Sequence, residues 1–299
     1  MFIIKHKKIF IGVSTVLVVL SLISFFIFRP KLSIDFKGGA LTEVTYTLER
    51  PAQDIVETNL QTLDLGSVLV QPTGELGYIV KSRDLNEIEH EQLLKTLSLG
   101  GKNLLTETNF NSIGPSVGKE LTRKAILSII LVSLAIICFI AFAFRGISKP
   151  ISSWRYGLIA IVTLLHDIII PAGMFAVLSR LYGVEIDTLF VVALLTILGL
   201  SVSDTIVIFD RIRENLKNES LKKINFSDVV GQSLDQSYVR SISTSLTVIL
   251  VLLALVFFGP ASTKYFALML TAGMFFGTYS SICLASPLLV LTEEWQNKK

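Results

Sequence analysis

Few side chains in this sequence can do chemistry, and those that can sit in apolar company. Asp204 falls in Gly199-Leu200-Ser201-Val202-Ser203-Asp204-Thr205-Ile206-Val207-Ile208-Phe209, directly after a run, Thr188–Leu198, whose only polar residues are Thr188 and Thr196. A carboxylate inside a membrane-length apolar segment costs about 2.5–3.5 kcal/mol on insertion scales. It is therefore expected to function, to be hydrogen-bonded to a neighbouring helix, or to lie already at the interface. His166-Asp167 places two more titratable groups near the middle of another apolar block, where they suit a proton relay or a pair that orients helices. Arg240 begins a third block, with Ser243, Thr244 and Thr247 at i+3, i+4 and i+7 on its own helix face. Asp204 and Arg240 are expected at similar depth on consecutive spans, where pairing would lower the desolvation cost of each. An arginine there can instead snorkel to lipid phosphates, and Ser or Thr in a span can bond its own backbone. The chemistry on offer is uptake and release of a proton by a buried carboxylate.

Other chemistries lack their residues. The sequence has no glycine loop of the phosphate-binding type, no Cys/His cluster and no nucleophile elbow. Cys138 and Cys283 both lie inside apolar blocks, so neither supports a disulfide framework or a metal site. Gly38-Gly39 and Gly100-Gly101 read as isolated turns. The expectation is a protein that is not an enzyme, has no cofactor and no nucleic-acid partner, and draws its work from a gradient or from another protein.

The elements that must position these residues follow from composition. The chain is 51% hydrophobic with a mean hydropathy of +0.64 and only 17% charged residues, and its apolar residues fall in blocks. That is the pattern of a multispan membrane protein. Lys5, Lys7 and Lys8 precede the apolar stretch Ile9–Phe28, which Arg29-Pro30 closes. The stretch is too long for a signal-peptide core and no small-residue cleavage site follows, so residues 1–29 read as a retained first span. Residues 30–123 are polar and of mixed charge, and can fold in water. Ala40–Leu48, Ser67–Val70, Tyr78–Lys81 and Asn103–Phe110 read as strands, with Pro72-Thr73-Gly74 as a turn. Pro51–Leu63 and Leu85–Leu97 have helical spacing. The order β-α-β-β-α-β suggests a small ferredoxin-like α+β domain. Residues 124–299 hold five more spans, Ala125–Phe144, Tyr156–Leu178, Thr188–Phe209, Ser241–Phe258 and Tyr265–Leu291, giving an all-α bundle of six. Thr196, Gly199 and Ser203 in one span, and Gly273 and Gly277 in another, are expected to permit close helix contact.

Taken together, Asp35-Phe36-Lys37-Gly38-Gly39, Ile113-Gly114-Pro115-Ser116-Val117-Gly118-Lys119-Glu120-Leu121, His166-Asp167, the Gly199–Asn215 run and Arg240-Ser241-Ile242-Ser243-Thr244-Ser245 resemble the SecF family. This is the smaller half of the bacterial SecDF translocation factor, in the resistance–nodulation–division superfamily. The likeness covers nearly the whole chain in order. It implies a proton-motive-force-driven accessory to Sec-dependent export across the plasma membrane. The implied partners are a SecD subunit, the SecYEG channel, the moving polypeptide and membrane lipid. It also implies that Asp204 and Arg240 lie on the proton pathway. Ser33, Leu200 and Ser203 stand where the family pattern leads one to expect Gly, Tyr and Asn. A passive scaffold holding SecD to the channel, or half of a small-molecule exporter of the same superfamily, are the alternatives.

Loop charge sets the expected orientation. Arg145, Lys149 and Arg155 lie between spans two and three, and Arg211, Arg213, Lys217, Lys222 and Lys223 between spans four and five. The opposite loops carry only Arg180 and Lys264. The positive-inside rule then puts both termini in the cytoplasm and residues 30–123 outside. Glu75→Cys is accordingly expected to react with an impermeant thiol reagent added outside intact cells, and Asn218→Cys only after permeabilisation. The reverse labelling would invert the topology.

Overall fold

In a computed structural model, residues 2–143, 151–217 and 224–297 are described. Arg145, Lys149, Asn218, Lys222 and Lys223 lie outside them. The chain begins with α1 (Phe2–Lys5) and the first span α2 (Lys7–Phe28). Helix α2 stops where Arg29 turns left-handed, at φ 42°, ahead of Pro30, which cannot continue a helix. A four-residue helix α3 (Ile34–Lys37) follows, capped by the Ser33 hydroxyl, which accepts from the Asp35 amide at 3.1 Å. Then come β1 (Gly39–Tyr46), α4 (Gln53–Leu60), β2 (Leu69–Thr73), β3 (Gly77–Ser82), α5 (Glu87–Leu97) and β4 (Leu105–Ile113). The remaining helices are α6 (Pro115–Ala143), α7 (Ser153–Tyr182), α8 (Thr188–Lys217), α9 (Phe226–Phe258) and α10 (Lys264–Ser280). A π-helical stretch, Ser281–Ala285, joins α10 to α11 (Ser286–Asn297). Among the described residues, six helical segments are long and apolar enough to cross a membrane. Their polar ends prolong the apolar blocks, so that α9 starts well before Ser241.

The chain divides into two units, Leu32–Ile126 and the combination of Met1–Lys31 with Leu127–Lys299. In the first, the strands form one antiparallel sheet in the order β2-β3-β1-β4. Alternate residues of β1, Ala40, Thr42, Val44 and Tyr46, are buried, as period-two patterning requires. They meet Val56 and Leu60 of α4 and Leu93 and Leu97 of α5 in one core. Burial raises the Tyr46 phenol to about 12, and its hydroxyl donates to the Leu97 carbonyl at 3.0 Å. Asn86 and Glu89 cap α5 reciprocally, side chain to backbone amide, at 2.9 and 3.0 Å. The Arg83 guanidinium bonded to Glu89 holds that carboxyl down at about 2. One sequence expectation needs correction: Pro72 and Thr73 belong to β2, and the turn begins at Gly74, where φ is 55°. Strand β2 is an edge, so a residue with no N–H costs the ladder nothing on its open side.

In the membrane unit, close helix contacts occur where side chains vanish. A Cβ at Gly173 of α7 would lie 2.4 Å from the Ser21 Cβ of α2 and 2.5 Å from its Cα. One at Gly273 of α10 would lie 2.2 Å from Ile197 of α8, and one at Gly277 3.1 Å from Ser201. These contacts bring backbones together in lipid, where packing drives association. At Gly157, by contrast, an added Cβ meets nothing within 4 Å. Gly157→Ala is therefore expected to stabilise slightly through helix propensity. Gly173→Ala, although it carries the same propensity gain, should destabilise by about 1–3 kcal/mol, because the atoms it strikes are backbone. Thermal unfolding of the detergent-solubilised protein should separate the two in sign.

Candidate functional site

Helix α8 presents Ser201, Thr205, Phe209 and Ile212 to the bundle interior, a three-to-four-residue period that buries one stripe. Of the two carboxylates expected from sequence, Asp167 meets this stripe at Ser201, and Asp204 lies beside it on α8 itself. Asp167 of α7 is fully buried and bonds to its own neighbour and to two other helices. Its Oδ1 pairs with His166 Nδ1 at 2.7 Å, and its Oδ2 accepts from the Ser201 hydroxyl of α8 and from the Ser280 hydroxyl of α10 at 2.8 Å. Four residues on, Pro171 lacks the N–H that would bond the Asp167 carbonyl, which loosens the helix at this point. Asp204, half-buried, receives the Ser245 hydroxyl of α9 at 3.2 Å and the Thr278 hydroxyl of α10 at 3.1 Å. Those two hydroxyls are themselves 2.5 Å apart. One step further along both helices, the hydroxyls of Thr205 and Ser281 pair at 2.8 Å. Thr278, Ser280 and Ser281 thus place three hydroxyls of span six among groups of the other helices. The π-helical winding begins at Ser281, the last of them. Such insertions are frequent where backbone geometry serves a site.

Every direct partner of these carboxylates is a hydroxyl or an imidazole, and among the described residues neither has a lysine or arginine. A hydroxyl donates to a carboxylate and can equally accept from a carboxylic acid. The arrangement can therefore hold either protonation state without moving a helix.

Arg240 is not where pairing with Asp204 would require it. It is exposed, and among the described residues no ion pair joins the two. The reason is helical phase. Ser241 and Ser245 face inward, at 2% and 3% exposure, and five residues separate Arg240 from Ser245, about 140° of rotation. Ser243, Thr244 and Thr247 share the outward side with Arg240, and the Thr247 hydroxyl returns to the Thr244 carbonyl at 2.7 Å. The inward polar stripe of α9 is instead Ser233, Ser237, Ser241 and Ser245, a four-residue ladder legible in the sequence but passed over for its neighbour. At its foot the Asn215 amide of α8 donates to Ser233 at 2.8 Å and to Gln236 at 3.0 Å. Gly199 and Ser203 also point outward, and a Cβ at Gly199 would meet nothing within 4 Å, so among the described residues the close helix contact expected of them is not made. Ser203 consequently takes no part in holding Asp204. Sequence reasoning missed Ser201, Ser245, Thr278, Ser280 and Ser281, whose signal was hydroxyl residues spaced along otherwise apolar spans.

Comparison with known proteins places this geometry. Residues 95–295 match the family described as "Protein export membrane protein SecD/SecF, C-terminal". The chain is 40% identical to the protein translocase subunit SecF of Thermobaculum terrenum, over 99% of this chain and 94% of the relative. It is 36% identical to that of Anaerolinea thermophila, over 99% and 96%. It is also 32% identical to the SecDF subunit of Bacillus subtilis, covering 99% of this chain but 38% of that longer one. The crystal structure of SecDF from Thermus thermophilus, titled a translocon-associated membrane protein, superposes with a TM-score of 0.79 at 30% identity, over 98% of this chain and 38% of that one.

The Asp167 cluster generates a test that separates polarity from charge. Asp167→Asn keeps an oxygen for Ser201 and Ser280, so the protein should accumulate in membranes near wild-type abundance. Asp167→Leu orphans the Ser201 hydroxyl and His166 Nδ1 at about 1–3 kcal/mol each. Immunoblotting of membrane fractions should show it depleted.

Proposed function

The chain belongs to the SecD/SecF family of protein-export membrane proteins, and from that premise we propose that it is the SecF-type half of a proton-motive-force-coupled complex assisting Sec-dependent export. The observation that carries this reading is Asp204: a carboxylate within a span, ringed by the Ser245 and Thr278 hydroxyls and without a cation among the described residues. A fixed salt bridge would lock the group ionised, whereas a hydroxyl cage suits a group that titrates in turnover. His166 and Asp167 form a second protonatable pair in the same bundle.

A SecD-type subunit is the partner this reading needs. Arg240, Ser243, Thr244, Gly199 and Ser203 are polar or small and exposed in this chain alone. Polar groups in a span avoid lipid and face protein or water, so a partner's helices should cover them. Relatives that carry SecD and SecF in one chain make such a neighbour natural. The SecYEG channel, the exported polypeptide and surrounding lipid complete the proposed setting. In that setting Arg240 meets a partner carboxylate or reaches Asp204 in another state, acting as a gate while Asp204 carries the proton, since arginine keeps its own. We read the sheet unit, residues 30–123, as a ferredoxin-like domain on the extracytoplasmic side, with both termini cytoplasmic, and the chain as a transport subunit rather than an enzyme.

Asp204→Asn keeps shape and polarity but cannot titrate. It should assemble with its partner at normal abundance, yet export in inverted vesicles should no longer rise when a proton gradient is imposed. Arg240→Lys should retain part of that response and Arg240→Met none. Gradient-stimulated export by Asp204→Asn equal to wild type would establish the passive-scaffold reading instead.

A further inference from the structure

The hydroxyl cage of Asp204 has fewer hydrogens than places to put them. Ser245 and Thr278 carry one hydroxyl hydrogen each. Their oxygens are 2.5 Å apart, a separation that requires a hydrogen between them, so in any one arrangement a single hydrogen is left to point elsewhere. That hydrogen has a choice on either residue. From Ser245 it can reach Asp204 Oδ2 at 3.2 Å or the Ser241 carbonyl, four residues back on α9, at 2.9 Å. From Thr278 it can reach Asp204 Oδ2 at 3.1 Å or the Met274 carbonyl, four residues back on α10, at 3.0 Å. Each hydroxyl is thus within bonding distance of the carboxylate and of its own helix at once.

Protonation of Asp204 decides the choice. While the carboxylate is ionised it only accepts, and the spare hydrogen points to it. Once a proton sits on Oδ2, that oxygen donates, and the hydroxyl receiving the bond must turn its own hydrogen to the Ser241 or Met274 carbonyl. The hydroxyl hydrogens stay on their own oxygens throughout, and the one proton added is the one on Asp204. Among the described residues both bonds to this carboxylate end on Oδ2 and none on Oδ1, so within them an acid hydrogen finds its acceptor from Oδ2. The carbonyl that gains the hydroxyl already accepts a helical N–H, and a second donor there weakens the ladder and bends the helix. The other ionisable groups around the cage are Asp167 of α7, whose charge is felt at Asp204, its partner His166, and Tyr279 and Cys283 of span six, while Arg240 of α9 is exposed. Among the described residues none of them takes the place of a hydroxyl at Oδ2.

We propose that Ser245 and Thr278 are positioning residues that form a two-way hydroxyl switch, passing the protonation state of Asp204 to the backbones of α9 and α10. With Asp204 ionised, one hydroxyl holds the carboxylate and the other holds that hydroxyl, so α8, α9 and α10 are joined. With Asp204 protonated, one hydroxyl back-bonds its own helix, at Ser241 in α9 or at Met274 in α10, ahead of the π-helical stretch that begins at Ser281. Both distances are already met, so the cage itself need not be rebuilt; the load on a helix carbonyl is what changes. Because either hydroxyl can turn, the two are redundant. The inference rests on reading Asp204 as the group that titrates, and adds how its proton is felt by the neighbouring helices.

The test uses inverted membrane vesicles containing the full chain and its SecD-type partner, with two readouts. One is export of a secretory precursor under an imposed proton gradient. The other is labelling of Asp204 by dicyclohexylcarbodiimide, which attacks a carboxyl only when it is protonated. Ser245→Ala and Thr278→Val each leave one hydroxyl able to turn. Each alone should keep gradient-stimulated export within about two-fold of wild type, whereas the two together should lose it at least about ten-fold, far more than the single losses multiplied. Asp204 in the double variant should still be labelled increasingly as pH falls, which separates a proton not transmitted from a proton not taken up. Thr278→Ser in the Ser245→Ala chain keeps a hydroxyl at 278 and should respond like Ser245→Ala alone. If the double variant fails to accumulate, Ser245→Cys with Thr278→Val fills the same space with a weak donor and carries the same expectation. Gradient-stimulated export by the double variant equal to wild type would overturn the proposal, as would losses that merely multiply or labelling that no longer depends on pH. A failure of the reading beneath it shows separately, as gradient-stimulated export by Asp204→Asn.

Discussion

In the apolar layer a polar atom has no solvent to fall back on, and the membrane unit is arranged around that constraint. Two carboxylates must be satisfied by the helices themselves. Asp167 draws on His166, Ser201 and Ser280, and Asp204 on Ser245 and Thr278, so that α7, α8, α9 and α10 are joined by what these two groups require. Replacing those contacts with lysine or arginine would satisfy the charge more strongly but would fix it. Hydroxyls leave the protonation state open while keeping the packing closed.

Packing makes those short polar contacts possible. Gly273 and Gly277 let α10 approach α8 closely enough for Ser280 to meet Asp167 and Ser281 to meet Thr205, the residue after Asp204. Gly173 does the same for α7 against α2, which also sets one wall of an apolar groove beside His166. Pro171 and the π-helical stretch Ser281–Ala285 interrupt regular winding on two of the helices that hold Asp167. Both irregularities would be costly in lipid; in a protein interior with hydroxyls nearby they are tolerated.

The sheet unit obeys the rules of water instead. Its core comes from alternating residues on one sheet face and the apolar stripes of two helices, and its polar pairs, Arg83 with Glu89 and His90 with Glu107, lie toward solvent. No carboxylate in it is asked to survive without water. This division within one chain follows the change in composition between residues 30–123 and the apolar blocks around them.

The sequence by itself determined what depends on local composition and period. Apolar length sets the six spans, alternation and turn residues set the order of strands and helices, and the cost of charge in lipid singles out His166, Asp167 and Asp204. Even its error at Pro72 was one of tertiary context, since only the strand order shows that β2 is an edge. What the tertiary structure decided is which side of each helix faces inward. A single residue's step is about 100° of helix rotation, so Ser241 and Ser245 reach the interior while Arg240 and Ser243 face out. A polar stripe at the right spacing exists on both sides of α9, and spacing alone cannot choose between them. The choice belongs to the neighbours, to the glycines of α10 that admit it and to the buried carboxylate that needs its hydroxyls.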